Sequence, residues 1–236
     1  MQPSLARIGA VAAVVGAITL FVATFLHPME ADPNDAVAAF TEYADDPLWV
    51  TSHLGQFLGV LLLGAGLVAL AAVLDPGVPS AWGRIGRMGT AASVAATAAL
   101  QAVDGVALKV AVDRWAAAEG AARTSAFEAA FAVRQVEIGL ASLTGLTFGL
   151  TLVVFGVAML LGRRFPPWLG WVALAGGFGT AGGGIAQAYT GFSGLAMTLG
   201  MPANAAVLVW AVGTGLVMWR LAPSLPGAAA ADGDTR

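Results

Sequence analysis

Apolar residues fall in six long runs along the chain, separated by short segments that hold most of the charge. The runs are Ile8–Leu26, Trp49–Leu74, Ile85–Leu108, Val136–Leu161, Trp168–Tyr189 and Asn204–Leu221. A helix needs roughly 20 mostly apolar residues, with a range of about 17–25, to cross a hydrocarbon core about 30 Å thick. The pattern predicts an all-α, polytopic membrane helix bundle with about six transmembrane helices. These form one domain, residues 1–222, followed by a disordered tail, residues 223–236, rich in Ala, Gly and Asp. Pro28 ends the first run, because its ring removes a donor and clashes with the preceding turn. No small-x-small cleavage site follows Phe25, so the first run reads as a retained helix and not a signal peptide.

The polar segments carry their own signals. Asp32-Pro33 and Asp46-Pro47 each read as an N-cap followed by proline at the first helical position. They predict a short surface helix from Pro33 to about Tyr43 and a second spanning helix that begins at Pro47. Ser125-Ala-Phe-Glu128 has capping-box spacing and predicts that the fourth long helix starts near Ala126. The third runs past Trp115 to a turn near Gly120. Helices three and four then form a long hairpin that protrudes from the membrane. A weak internal repeat is visible too: Trp82 and Gln101 are spaced like Trp168 and Gln187, with a glycine four residues on in each case.

Composition supports lipid as the solvent. Hydrophobic residues make up 58% of the chain and charged residues 11%, against about 25% charged in an ordinary soluble domain. Mean hydropathy is +0.80. The net charge of -3 leaves no basic stripe for nucleic acid, and the absence of cysteine excludes disulfides and thiolate metal sites. Lys and Arg set the orientation. Arg7, Arg84, Arg87, Arg163, Arg164, Arg220 and Arg236 fall on one side, and only Lys109, Arg114, Arg123 and Arg134 on the other. The first side is expected to be cytoplasmic, with both termini inside. Trp49 and Trp115 then mark the outer boundary, and Trp82, Trp168, Trp171 and Trp219 the inner one.

Polar side chains at membrane depth are costly and mark functional sites by default. Here they share one level. His27 ends helix one; His53 and Gln56 lie on one face of helix two; Gln101 and Asp104 on one face of helix three. Arg134 and Glu137 share a face of helix four, Gln187 is near the outer end of helix five, and Asn204 opens helix six. Equal distance from a turn at Gly120 places Asp104 level with Arg134 and Glu137, with Lys109 one to two turns above. The candidate ligand-binding residues are therefore His27, His53, Gln56, Gln101, Asp104, Lys109, Arg134, Glu137 and Gln187. The bland alternative is a clamp between helices, since polar contacts between membrane helices are worth only about 0.6 kcal/mol on average.

His27 and His53 also suggest metal or haem, because imidazole is the commonest protein ligand for divalent metals. No local spacing such as H-E-x-x-H or Glu-x-x-His supports either, and a histidine at a helix end ligates haem awkwardly. No P-loop and no G-x-S-x-G elbow is present, so an enzyme is disfavoured and no cofactor is specified. The glycines from Gly176 to Gly184, with Gly145 and Gly149, read as close-packing faces rather than a gate.

The run Asp104-Gly-Val-Ala-Leu-Lys109, with Asp113-x-Trp115 and Arg134-x-x-Glu137, resembles small bacterial six-helix membrane proteins grouped only as a domain of unknown function. The resemblance spans most of helices one to five. It implies a multi-pass protein of the bacterial plasma (inner) membrane and brings no activity or catalytic residue with it. Three readings follow. The first is binding or transport of a small solute, ion or lipid headgroup at the outer polar level. The second is a metal-dependent membrane enzyme using His27 and His53. The third is a structural protein whose hairpin docks a protein partner. Common to all is contact with the lipid bilayer.

Overall fold

The structure is a computed structural model, and residues 3–225 are described. Within them the chain is helical, without strands: α1 (Pro3–Phe25), α2 (Ala36–Asp45), α3 (Trp49–Val73), α4 (Val78–Gln101), a π-helical segment (Ala102–Leu108), α5 (Lys109–Ala116), α6 (Gly120–Leu161), α7 (Pro167–Thr190) and α8 (Gly194–Leu221), closed by a 3-10 turn (Ala222–Ser224). Six of these, counting α4 to α5 as one continuous rod, are long and apolar enough to span a membrane. Large apolar side chains stand exposed on all of them. Phe25 is 76% exposed and Met88 75%, and Ile8, Phe178, Trp171 and Val209 are similarly open. Water would not tolerate so much continuous apolar surface; hydrocarbon does. The chain is an integral, multi-pass membrane protein.

Glycines draw the ring together. Lipid gives helices no hydrophobic reason to associate, so close van der Waals approach must hold them. A Cβ added to Gly59 would lie 2.7 Å from Leu20 N, which joins α1 to α3. One on Gly64 would lie 2.9 Å from Val94 and join α3 to α4; one on Gly86 would strike Phe155 of α6 at 2.7 Å. At Gly149 it would fall 2.5 Å from the Gly177 carbonyl of α7, and at Gly183 3.1 Å from Gly200 of α8. Gly215 returns α8 to α1, 2.9 Å from the Ala10 carbonyl. The spans thus form a closed ring in chain order around a core of Leu70, Leu152, Phe155, Leu169, Trp210 and Met218.

Several boundaries differ from expectation. Helix α2 starts at Ala36, capped by Asp35, whose Oδ1 accepts from Val37 N and Ala38 N at 3.1 Å. The Asp32 side chain instead accepts from Asn34 N at 2.9 Å and makes the turn before the cap. Asp46 likewise receives Leu48 N at 2.8 Å, so Pro47 and Leu48 belong to a turn and α3 begins at Trp49. Helix α6 starts at Gly120, whose φ of +53° suits glycine, so Ser125 and Glu128 lie inside a helix and form no capping box. Helix α8 starts ten residues before Asn204 and carries Pro202 within it. The tail expected from Pro223 begins instead with the 3-10 turn, and Leu225 is buried; residues 226–236 lie outside the described residues.

At the end of the bundle where α1 starts and α8 ends, Asp75 organises the loops. Its Oδ2 accepts Arg163 N at 2.6 Å and Arg164 N at 3.0 Å, while Arg164 donates to the Val73 carbonyl at 3.0 Å. At the opposite end the α5–α6 hairpin stands proud. The 42 residues of α6, at 1.5 Å each, run about 63 Å, twice the thickness of a hydrocarbon core.

Candidate functional site

Helix α2 lies as a cap across the hairpin end, and the polar level beneath it is assembled from α3, α4, the π segment and α6. The π segment shapes this site. Its wider turn leaves the Asp104 carbonyl to accept the Trp49 indole N–H at 3.1 Å and turns the Asp104 carboxylate toward α3. There Oδ2 lies 3.1 Å from His53 Nε2, at hydrogen-bonding distance but off the hydrogen-bond axis. The approach is close: a Cβ on Gly105 would lie 2.5 Å from the Cβ of His53. Such π turns recur at functional sites. Asp104 thus makes its closest contact with α3, while it stays near enough to Arg134 and Glu137, as equal height from the turn implied, to act on both electrostatically.

Arg134 turns to its own helix. Its Nη1 donates to Glu137 Oε2 at 2.6 Å, Nη2 donates to the Pro33 carbonyl at 3.1 Å, and the guanidinium sits 4.6 Å from the centre of the Phe192 ring. Both partners of this ion pair are buried. Lys109 also serves the cap. Its ammonium donates to the carbonyls of Tyr43 at 3.0 Å and Ala44 at 2.9 Å, and to Asp113 at 2.7 Å. It closes the negative C-terminal end of α2, where a cation is favoured. Gln101 Nε2 donates to Gln56 Oε1 at 3.1 Å. Gln187 stands apart, its Nε2 without a partner among the described residues, while Asn204 accepts the Thr180 hydroxyl at 3.1 Å.

His27, in the loop after α1, donates from Nδ1 to the Pro28 carbonyl at 2.7 Å, and its ring packs at a tilt with its centre 5.0 Å from that of His53 and 4.9 Å from that of Trp49. Burial, then the neighbouring His53, holds its pKa below the usual imidazole range. Burial pushes the Tyr43 phenol up to about 12. For His27 the sign is clear: the unfolded chain binds its proton more readily than the folded one, so stability falls as pH drops below about 6.5. Melting in detergent across pH 7 to 5 will show this decline, and His27→Gln will flatten it. Among the described residues no three His, Asp or Glu side chains converge to hold a metal ion, which leaves the metal-dependent reading without a ligand set.

A second feature lies one turn below and is walled by apolar side chains. Helices α1 and α8 touch at Gly215, then part toward the hairpin end. There α8 follows α7, with Gly179 against Ala203, and α1 stays on α3. Between them opens a crevice of about 480 Å³. Phe21, Phe25 and Met201 form its rim; Val60, Thr97, Leu100, Thr144 and Phe148 form its back wall. Val60 and Thr97 stand four residues from Gln56 and Gln101, hence on the same helix faces. The Thr144 hydroxyl and Gln101 Oε1 have no partner among the described residues. Of the residues that line this space, sequence reasoning singled out only Asn204 and missed the rest, because its walls are ordinary membrane residues drawn from five helices.

Compared with known proteins, the chain matches no family model, no curated protein and no solved structure.

Proposed function

We propose that the protein binds an amphipathic lipid in the crevice between α1 and α8, with the apolar chain against the back wall and a hydrogen-bonding head toward Gln56, Gln101 and Asn204. The observation that carries this reading is the crevice itself. It falls in the size range of ligand sites, about 300–1,000 Å³, and opens between two spans where their lipid-facing surfaces part. Free hydrocarbon already solvates an acyl or isoprenoid chain, so burial in the crevice adds little drive of its own. Selectivity must come from shape and from the polar side chains of the lining, here Asn204 and Thr144, whose hydroxyl has no partner among the described residues. The ion-paired groups above, in contrast, are spent on holding the α2 cap, which favours the crevice over the charge cluster as the binding surface.

The arginines of the bundle end where α1 starts and α8 ends, Arg7, Arg84, Arg87, Arg163, Arg164 and Arg220, support an orientation with that end cytoplasmic and the hairpin outside. In a bacterial inner membrane, as the resemblance implies, the crevice would then open to the outer leaflet.

Ala205 lines the crevice. Native mass spectrometry after gentle purification will find wild-type protein carrying lipid, and Ala205→Phe carrying at least tenfold less with unchanged melting. Val209→Phe, at a position 62% exposed to lipid, serves as the control and will retain it. Equal occupancy in all three would overturn the reading.

A further inference from the structure

The loop between α1 and α2 is tied down on both sides of the crevice. Met29, past the end of α1, stands on the rim. Four residues on, the Pro33 carbonyl accepts Arg134 Nη2 of α6 at 3.1 Å. Asn34 then sits against the α7–α8 turn, where a Cβ on Gly191 would lie 3.0 Å from its Oδ1. The residues between therefore form a strap over the crevice mouth, running from α1 toward the start of α8. One side chain of the α2 cap holds the strap in place: the two carboxylate oxygens of Glu42 accept Glu30 N at 2.9 Å and Ala31 N at 3.0 Å. Glu30 and Asp32 are left exposed on it, and Asp32 commits only Oδ1, to Asn34 N.

The charge at this mouth has one sign. Residues 8–83, which include the strap and the cap, contain neither Lys nor Arg, and residues 165–219, which form the α7–α8 side, contain no charged residue. Lys109, Arg114 and Arg123 ride on the α5–α6 hairpin, which rises from the α4–α6 side of the ring, across from the gap between α1 and α8. Arg134 is closed in its pair with Glu137. Deeper in the crevice the polarity reverses. Asn204 accepts the Thr180 hydroxyl through Oδ1, so its amide N–H groups are left to donate. The mouth thus offers carboxylates outside and hydrogen-bond donors inside. A zwitterionic phospholipid tipped with an ammonium presents the complement, with ester and phosphate oxygens inside and a cation outside. An anionic headgroup would meet the strap with like charge, within the about 8–10 Å over which salt leaves such repulsion in force.

We propose that the crevice selects phospholipids whose headgroup ends in an ammonium, with Glu30 and Asp32 of the strap reading that charge and Asn204 receiving the oxygens beneath it. This rests on the lipid reading above and adds the headgroup class to it.

A competition between two lipids tests it. The whole chain, stripped of lipid in detergent, is offered equimolar phosphatidylethanolamine and phosphatidylglycerol with identical acyl chains at low salt, and the retained lipid is counted by native mass spectrometry. Wild type will retain about tenfold more phosphatidylethanolamine, and salt at about 1 M will narrow the ratio. Glu30→Gln with Asp32→Asn will bring the ratio to about twofold or less with total lipid unchanged. Both changes conserve shape, and the amide oxygen of Asp32→Asn still accepts Asn34 N. Equal retention of the two lipids by wild type, or the same ratio in the double variant, would overturn the headgroup class. In that event, loss of both lipids from Ala205→Phe would show that the crevice still binds lipid. Wild type retaining neither lipid, or Ala205→Phe retaining both as wild type does, would overturn the lipid reading and the headgroup class with it.

Discussion

Arg134→Ala will destabilise the protein by about 3–5 kcal/mol, the usual penalty for removing one member of a buried ion pair. The substitution strands the Glu137 carboxylate, 2% exposed, without its cation. It also frees the Pro33 carbonyl and removes the guanidinium from the faces of Phe192 and Tyr43. Three separate segments lose their common tie: the loop before α2, the α2 cap and the α7–α8 turn. The variant will melt well below wild type or fail to accumulate. Arg134→Met with Glu137→Leu will recover most of the loss, because a buried pair replaced by apolar residues of similar size is often neutral. A double variant no better than the single one would mean that the contacts to Pro33 and Phe192, and not the stranded charge, account for the effect.

Gly149→Leu will be comparably severe for a different reason. Even the Cβ would lie 2.5 Å from Ala181 N and from the Gly177 carbonyl. These are backbone atoms, which cannot swing aside as a side-chain tip does. The cost will exceed the about 1–3 kcal/mol of ordinary overpacking, since α6 and α7 must separate along their whole contact. Gly182 provides the control, because nothing lies within 4 Å of its added Cβ. Gly182→Ala will be neutral or stabilising by up to about 1 kcal/mol through helix propensity. Thermal melting of the purified variants in one detergent compares them directly.

The six spans were legible because the bilayer imposes a length and a polarity on them that single-chain patterns record well. The glycine faces at Gly145, Gly149 and Gly176 to Gly184 were legible as packing surfaces for the same reason: without hydrophobic drive, small residues are what brings helices together. Local ends were less so. Asp32 and Asp35 are both sound caps on paper, and only the turn built by Asp32 decides for Asp35. The start of α8 was missed because the segment before Asn204 is less apolar and holds Pro202, which the helix absorbs. The polar level was visible as a gathering of residues, but not its pairings. Equal height from the Gly120 turn brought Asp104 within electrostatic reach of Arg134 and Glu137, but it could not show that the π segment turns the carboxylate toward His53. Nothing in the run Ala102–Leu108 signals a π turn by composition; the seat for Gly105 against His53 is a tertiary fact. The crevice was invisible for a related reason. It arises where α8 leaves α1 for α7, a matter of which glycines face which neighbours.

Lipid labelling from inside the bilayer tests the central claim most directly. Proteoliposomes doped with a phospholipid carrying a photoreactive diazirine on its acyl chain, irradiated and mapped by mass spectrometry, report which residues the chains reach. The account predicts concentrated labelling at Val60, Thr97, Leu100 and Phe148, residues behind the gap between α1 and α8, and its loss in Ala205→Phe. Labelling spread over the outward faces at Ile8, Ile85, Met88 and Phe178, with the back wall untouched in wild type, would contradict it.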